Sequence, residues 1–192
     1  MWTEYCRAVQ TALEATQTSS VCALARSVSV AWTNDRTIYT CGNGGSASTA
    51  SHLAQDLSKG TLTPGQLRIR TFCLCDSIPS LTAWANDDCY DYVFAQQLRG
   101  LGRPGDLLIA ISGSGNSPNI LEAVRAAHKL DMRTWGVTGF DGGQLLSLAH
   151  RCVHVPCQDM GQVEAAHGIL FHWLIGAVRD GLLDPTTASS EA

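Results

Sequence analysis

The stretch TIYTCGNGGSASTASHLAQDLSKG, residues 37–60, decides how the fold is read. Its first five residues are β-branched, aromatic or small, the composition of a short strand. Gly42-Asn43-Gly44-Gly45-Ser46 interrupts that run, and residues 46–58 continue without Gly or Pro, as a helix would. Strand, glycine turn and helix in this order form the opening half of a parallel βαβ unit. The glycines permit positive φ and leave backbone N–H groups able to face an anion. A plain tight turn would read the same. No lysine follows the glycines and the spacing is not G-x-G-x-x-G, so neither nucleotide-binding fingerprint applies.

The alternation continues outward. Residues 67–75, 106–112, 133–138 and 151–156 are short, apolar and rich in β-branched side chains. Residues 78–84 with 90–100, 117–130, 142–150 and 161–182 read as helices, the last with an apolar stripe through Val163, Ala166, Leu170, Leu174 and Val178. Repeated alternation predicts an α/β fold: a single doubly wound parallel sheet with helices on both faces. Residues 1–35 lack Gly and Pro and space Val9, Leu13, Val21, Leu24 and Val28 roughly by helical turns, ending at Asn34-Asp35. They read as one long N-terminal helix or a broken pair, an element of the kind that often packs on another subunit. Residues 184–192 read as a frayed tail. With no repeat and no linker, residues 1–192 are expected to be one domain.

Composition narrows the function. The 192 residues are 45% hydrophobic and 16% charged, as in a globular domain. Thirteen Lys+Arg against 17 Asp+Glu give a net charge of -4, and no basic cluster occurs along the sequence, so a grip on nucleic acid is not expected. No run approaches the roughly 18 apolar residues of a membrane span. The first residues lack the basic start and apolar core of a signal peptide, so a cytoplasmic protein is expected. The 8 cysteines are scattered without a C-x-x-C, which reads as buried, reduced thiols.

A second strand–turn–helix lies in DLLIAISGSGNSPNILEAV, residues 106–124. Ser112, Ser114 and Ser117 offer hydroxyls beside a helix N-terminus, a setting for a phosphate held without Lys or Arg. Capping the helix would need only one of them. His52 and Asp56 stand four apart on one helix face, where they could chelate an ion or work as an acid/base pair. GQVEAAHGILFHWL, residues 161–174, supplies Glu164, His167 and His172. His128, His150 and His154 have no such company and read as structural.

Taken together, CGNGGSASTASHLAQDL (41–57) and ISGSGNSPNILEA (111–123) resemble the sugar isomerase (SIS) domain. AWANDDCYDYVFAQQL (83–98), GVTGFDGG (136–143) and VEAAHGILFH (163–172) extend the likeness over nearly the whole chain, towards the phosphoheptose isomerases. That resemblance implies a homotetramer with active sites between subunits, and a phosphorylated sugar as substrate. It implies that the sugar phosphate is held by Asn43, Gly44, Gly45 and Ser46, by Asn86 and Asp87, and by Ser112, Gly113, Ser114 and Ser117. Gly113 departs from the pattern, where threonine is common.

The resemblance further implies a zinc set at His52, Asp56, Glu164 and His172 and catalytic roles for Asp56 and His172; His167, three after Glu164 on the same face, is a fallback ligand, and Glu164 is expected to share the base role because Asp56 is short. Asp56 replaces a longer glutamate, and Glu164 replaces a glutamine. Glu164 and His172 are eight residues apart, about 12 Å along one regular helix. They could therefore share an ion only if Glu164 preceded the regular helix or if subunits combined. The implied reaction converts sedoheptulose 7-phosphate to D-glycero-D-manno-heptose 7-phosphate through an enediol. The alternatives are a SIS isomerase or sensor for another sugar phosphate, and a non-enzymatic adaptor that binds the bacterial replication initiator.

Overall fold

The computed structural model describes residues 1–62, 64–65 and 67–182; the tail expected at 184–192 lies outside them. Among the described residues the strands are β1 (Thr37–Cys41), β2 (Arg70–Cys73), β3 (Leu107–Ser112), β4 (Arg133–Thr138) and β5 (Arg151–His154). The helices are α1 (Trp2–Glu14), α2 (Thr18–Thr33), α3 (Gly45–Lys59), α4 (Ile78–Asp87), α5 (Val93–Leu101), α6 (Pro118–Lys129), α7 (Leu145–Leu148) and α8 (Met160–Arg179), with a 3-10 turn at Tyr90–Tyr92. The strands form one sheet in the order β2-β1-β3-β4-β5, every neighbouring pair parallel.

Period-two alternation sorts the strand side chains into two cores. Ile38, Leu107, Ile109, Ile111, Val137 and Val153 pack under α2, α3 and α8. Tyr39, Cys41, Leu108 and Ala110 pack under α5, α6 and α7. Every residue of β3 is buried, as a central strand covered on both faces requires. The chain crosses from β1 to β2 on one side while β3 pairs with β1 on the other. The loops after β1 and β3 therefore face each other at the point where strand order reverses, the usual ligand crevice of an open α/β sheet.

Three readings are refined. The N-terminal helical segment is a broken pair: Gln17 turns extended (φ -67, ψ 110) and Thr16 sends its hydroxyl back to the Ala12 carbonyl at 2.9 Å. The helix expected at 142–150 shrinks to α7, because Gly142 (φ 87) and Gly143 (φ 52) hold a left-handed backbone. Of the strand expected at 67–75, only Arg70–Cys73 pairs with β1. Among the described residues no helix is long and apolar enough to cross a membrane.

Candidate active site

The first loop is built on glycine for a steric reason. A Cβ on Gly42 would run into the backbone carbonyl of Ser46, a buried residue in the first turn of α3. Asn43 is clasped in both directions: its Nδ2 donates to Asn119 Oδ1 and Asn119 Nδ2 donates to Asn43 Oδ1, each at 2.8 Å. Asn119 is 1% exposed, and Tyr90 adds a hydroxyl donated to Asn43 Oδ1 at 3.0 Å. The reciprocal amide pair ties the β1 loop to the start of α6.

The serine loop is organised from within. Ser112 Oγ donates to Ser117 Oγ at 3.4 Å and accepts from the Gly115 N–H at 3.2 Å, while Ser114 Oγ accepts from the Asn116 N–H at 3.3 Å. Ser117 holds the N-cap position of α6, yet its hydroxyl makes no capping bond; α3 likewise has no side-chain cap. By contrast Ser77 caps α4 and Asp159 caps α8. Two helix N-termini thus converge on one crevice with no side chain of their own on the first N–H groups; the α6 end is a favourable field for an anion, while the α3 end already faces the Glu164 carboxylate. Gly113 forms a buried floor here, and a Cβ there would stand 2.6 Å from the Met160 sulfur. Met160 fills the space that a threonine side chain would need.

Asn86 and Asp87 are exposed at the end of α4, where Asn86 Nδ2 donates to Asp87 Oδ1 at 2.8 Å. Tyr90, just beyond, brings this segment to Asn43. Sequence reasoning missed both Tyr90 and Asn119. Tyr90 was visible as an aromatic hydroxyl beside the Asn-Asp pair. Asn119 was visible as the one polar side chain entering the apolar run that follows Pro118.

The second cluster lies farther along α3. Asp56 Oδ2 is 3.2 Å from His52 Nε2 and 3.9 Å from His172 Nδ1, and the two imidazoles meet edge to face with centroids 5.1 Å apart. One ligand atom from each residue lies within 4.8 Å of the others. Ligands of a tetrahedral metal stand roughly 3.3 Å apart, given bonds of about 2.0–2.2 Å. The three residues therefore fit a divalent ion of the kind that takes imidazole and carboxylate. They open on a cleft of about 170 Å³ that Ser48, Thr49, Gly168 and Phe171 also line.

Glu164 does not join this cluster within one chain. It sits inside regular α8 and presents its carboxylate to Gly45, at the start of α3. The two helices run side by side in the same direction, with Glu164 at Gly45, His172 at Asp56 and Ile175 at Gly60. The eight-residue spacing is thus preserved, and the expected four-residue metal set is a three-residue set in one copy. His167 is not a spare ligand either. It is buried, its Nε2 lies 3.2 Å from the Thr138 carbonyl, and burial pushes its pKa down to about 4 against the partial offset of that bond. His128 and His150 share Thr134, and His154 meets Thr138, so the three read as structural are so placed.

A family model described as the SIS domain matches residues 1–139. A phosphoheptose isomerase of Neisseria gonorrhoeae is 38% identical over 154 residues, covering 79% of this chain and 78% of the relative. One from Mycobacterium bovis is 40% identical over 148 residues, covering 77% and 75%. The solved structure of phosphoheptose isomerase GmhA from Neisseria gonorrhoeae matches with a TM-score of 0.85 at 34% identity, over 93% of this chain and 95% of that one.

Proposed function

The chain belongs to the phosphoheptose isomerases of the SIS-domain family, and from that premise we propose that it interconverts sedoheptulose 7-phosphate and D-glycero-D-manno-heptose 7-phosphate. The phosphate is assigned to the two uncapped helix ends and to Asn43, Gly44, Gly45, Ser46, Ser112, Gly113, Ser114 and Ser117. Asn86 and Asp87, brought up by Tyr90, take sugar hydroxyls. Ketose–aldose exchange needs one group to move a proton between C1 and C2 and another to serve the two oxygens. Asp56 takes the C1 proton and returns it to C2. His172 gives a proton to the C2 oxygen and recovers one from the C1 hydroxyl, so no proton is gained or lost overall.

His52, Asp56 and His172 would hold a zinc ion, which when bound supplies positive charge to polarise the carbonyl oxygen. Glu164, higher on α8 beside the first loop, takes hydroxyls from the middle of the sugar. It shares the base role and enters the metal set only where a second subunit completes the site.

Assembly supports this reading. A cleft of about 170 Å³ is smaller than the roughly 300–1,000 Å³ of ligand sites. Ile169 and Trp173 flank His172 on α8 and are half exposed, and Trp2 is exposed at the start of α1. These apolar side chains support a homotetramer, built from one domain spanning residues 1–192, in which a neighbouring copy walls the cleft. Eight free cysteines support a reducing, cytoplasmic setting.

The observation that carries the proposal is the meeting of His52, Asp56 and His172 from helices more than a hundred residues apart. The test is to incubate metal-analysed protein with sedoheptulose 7-phosphate and follow the aldose by NMR. Aldose formation with bound zinc is expected. Turnover of pentose or hexose phosphates alone would replace the substrate, and neither zinc nor turnover would point to an adaptor.

A further inference from the structure

Strand β2 ends in CLCD, residues 73–76, beside the end of β1. The Asp76 N–H donates to the Cys73 carbonyl at 3.3 Å, so these four residues close a β-turn. The first and last Cα of such a turn stand within about 7 Å, and a disulfide spans Cα atoms about 4.4–6.8 Å apart. The side chains agree with that reach. The Cys75 N–H donates to Cys73 Sγ at 3.4 Å, and the Cys75 thiol hydrogen-bonds to the same sulfur.

The Cys75 thiol also donates to the Gly42 carbonyl at 3.3 Å. Gly42 opens the loop assigned to the sugar phosphate and is packed closely on Ser46. Two residues beyond Cys75, Ser77 caps α4, which carries Asn86 and Asp87. The thiol pair thus sits between the two sets of residues assigned to the substrate.

The two sulfurs are unequal. The bond from the Cys75 thiol pulls the Cys73 pKa below the ordinary thiol value, helped by Thr40 and the Cys75 N–H and opposed by burial and Asp76. The Cys75 pKa is raised, first by that same bond and then by burial. A thiolate is the attacking species, so Cys73 attacks and Cys75 resolves. Cys73 is 5% exposed and lines an open surface hollow with Gln55, Ser58 and Asp76, which admits an oxidant as small as hydrogen peroxide. Cys41, a third thiol nearby, is fully buried, and burial raises its pKa, so it stays protonated and out of reach.

We infer that Cys73 and Cys75 form a peroxide-sensitive dithiol, whose oxidation to a disulfide withdraws the thiol from Gly42 and weakens the hold on the sugar phosphate. The Cys73 thiolate attacks one peroxide oxygen; an S–O bond forms, the O–O bond breaks and hydroxide leaves. The Cys75 sulfur then attacks the Cys73 sulfenic acid; the S–S bond forms, the S–O bond breaks and water leaves with the Cys75 proton. Two electrons pass from the sulfurs to the peroxide. In a reducing compartment, disulfides are mostly transient and redox-sensing, and a low-pKa thiol beside a resolving one is the usual form of such a sensor.

The test treats the full chain, freshly reduced and desalted, with a few-fold molar excess of hydrogen peroxide, then blocks free thiols with N-ethylmaleimide. Mass spectrometry of the tryptic peptide 71–99 should show Cys73 joined to Cys75 and Cys89 alkylated. KM for sedoheptulose 7-phosphate should rise about fivefold or more. It should fall back after dithiothreitol and desalting, a treatment that leaves any sulfoxide at Met160 in place. Cys73→Ala should keep the native KM both before and after peroxide. Cys75→Ser should form no disulfide and leave on Cys73 a sulfenic acid that dimedone captures; circular dichroism checks that each variant is folded. Cys73 and Cys75 both alkylated after peroxide, Cys73 joined to another cysteine, a disulfide that leaves KM unchanged, or an equal rise of KM in Cys73→Ala would overturn the inference. The effect on substrate rests on the proposed isomerase, whereas the disulfide does not. A chain that forms it yet turns over no heptose phosphate would overturn that function and leave the dithiol standing.

Discussion

Asp56 is the carboxylate that two imidazoles share, 3.2 Å from His52 and 3.9 Å from His172. Asp56→Asn keeps the shape and removes the base, so turnover should fall by about 10² or more, with KM changed far less because the phosphate is held elsewhere. Full turnover in the NMR assay would remove Asp56 from the mechanism. His167 makes a prediction about acid. Unfolded, it takes a proton near pH ~6.5; folded, it takes one only near pH 4. Its contribution to stability is complete above pH ~6.5 and is lost as pH falls to about 4, by on the order of 3 kcal/mol. In urea melts across that window, His167→Gln should show a flatter pH dependence than the native chain; parallel curves would assign the acid sensitivity to other groups. Both histidines of the pair in VEAAHGILFH are legible as histidines, but only packing tells them apart. His172 faces out to Asp56, whereas His167 faces in to Thr138.

At the scale of elements, the two strand–turn–helix units were plain in the sequence because their signals are local. β-branched runs make β1 and β3, glycines break them, and residues of helical propensity follow. What escaped was set by contact across the crevice. The Asn43–Asn119 clasp joins side chains 76 positions apart, and nothing along the chain announces it. The shortness of α7 had the same origin, since Gly142 is held left-handed where its carbonyl meets Gly115. Gly115 (φ 66) leaves no room for a Cβ against that carbonyl. Gly115→Ala should therefore cost about 2 kcal/mol or more, lowering Tm by about 4–8 °C, and should raise KM through the displaced serine loop. A thermal melt and a KM both unchanged would show that the two turns are not held against each other.

At the scale of the molecule, sheet order was legible only as a class, and the consequences of that order were not. Arg36, Arg133 and Arg151 look unrelated until the parallel sheet gathers the strand starts at one end. Exposed Ile169 and Trp173 likewise interrupt no pattern in the sequence, yet stand beside His172 on the outer side of α8. If the proposed homotetramer forms through this face, Trp173→Asp should give smaller species by sedimentation and abolish turnover together; an unchanged mass would place the subunit contact elsewhere. α8 itself meets three parts of the protein in order, Gly113 through Met160, Gly45 through Glu164 and Asp56 through His172. It works as a keel. One residue inserted between Met160 and Glu164 would swing everything beyond it by about 100°, carrying Glu164 off Gly45 and His172 off Asp56 at once. Descendants of this chain can retune those stations by exchanging side chains at fixed positions, but they cannot do so by lengthening or shortening the helix.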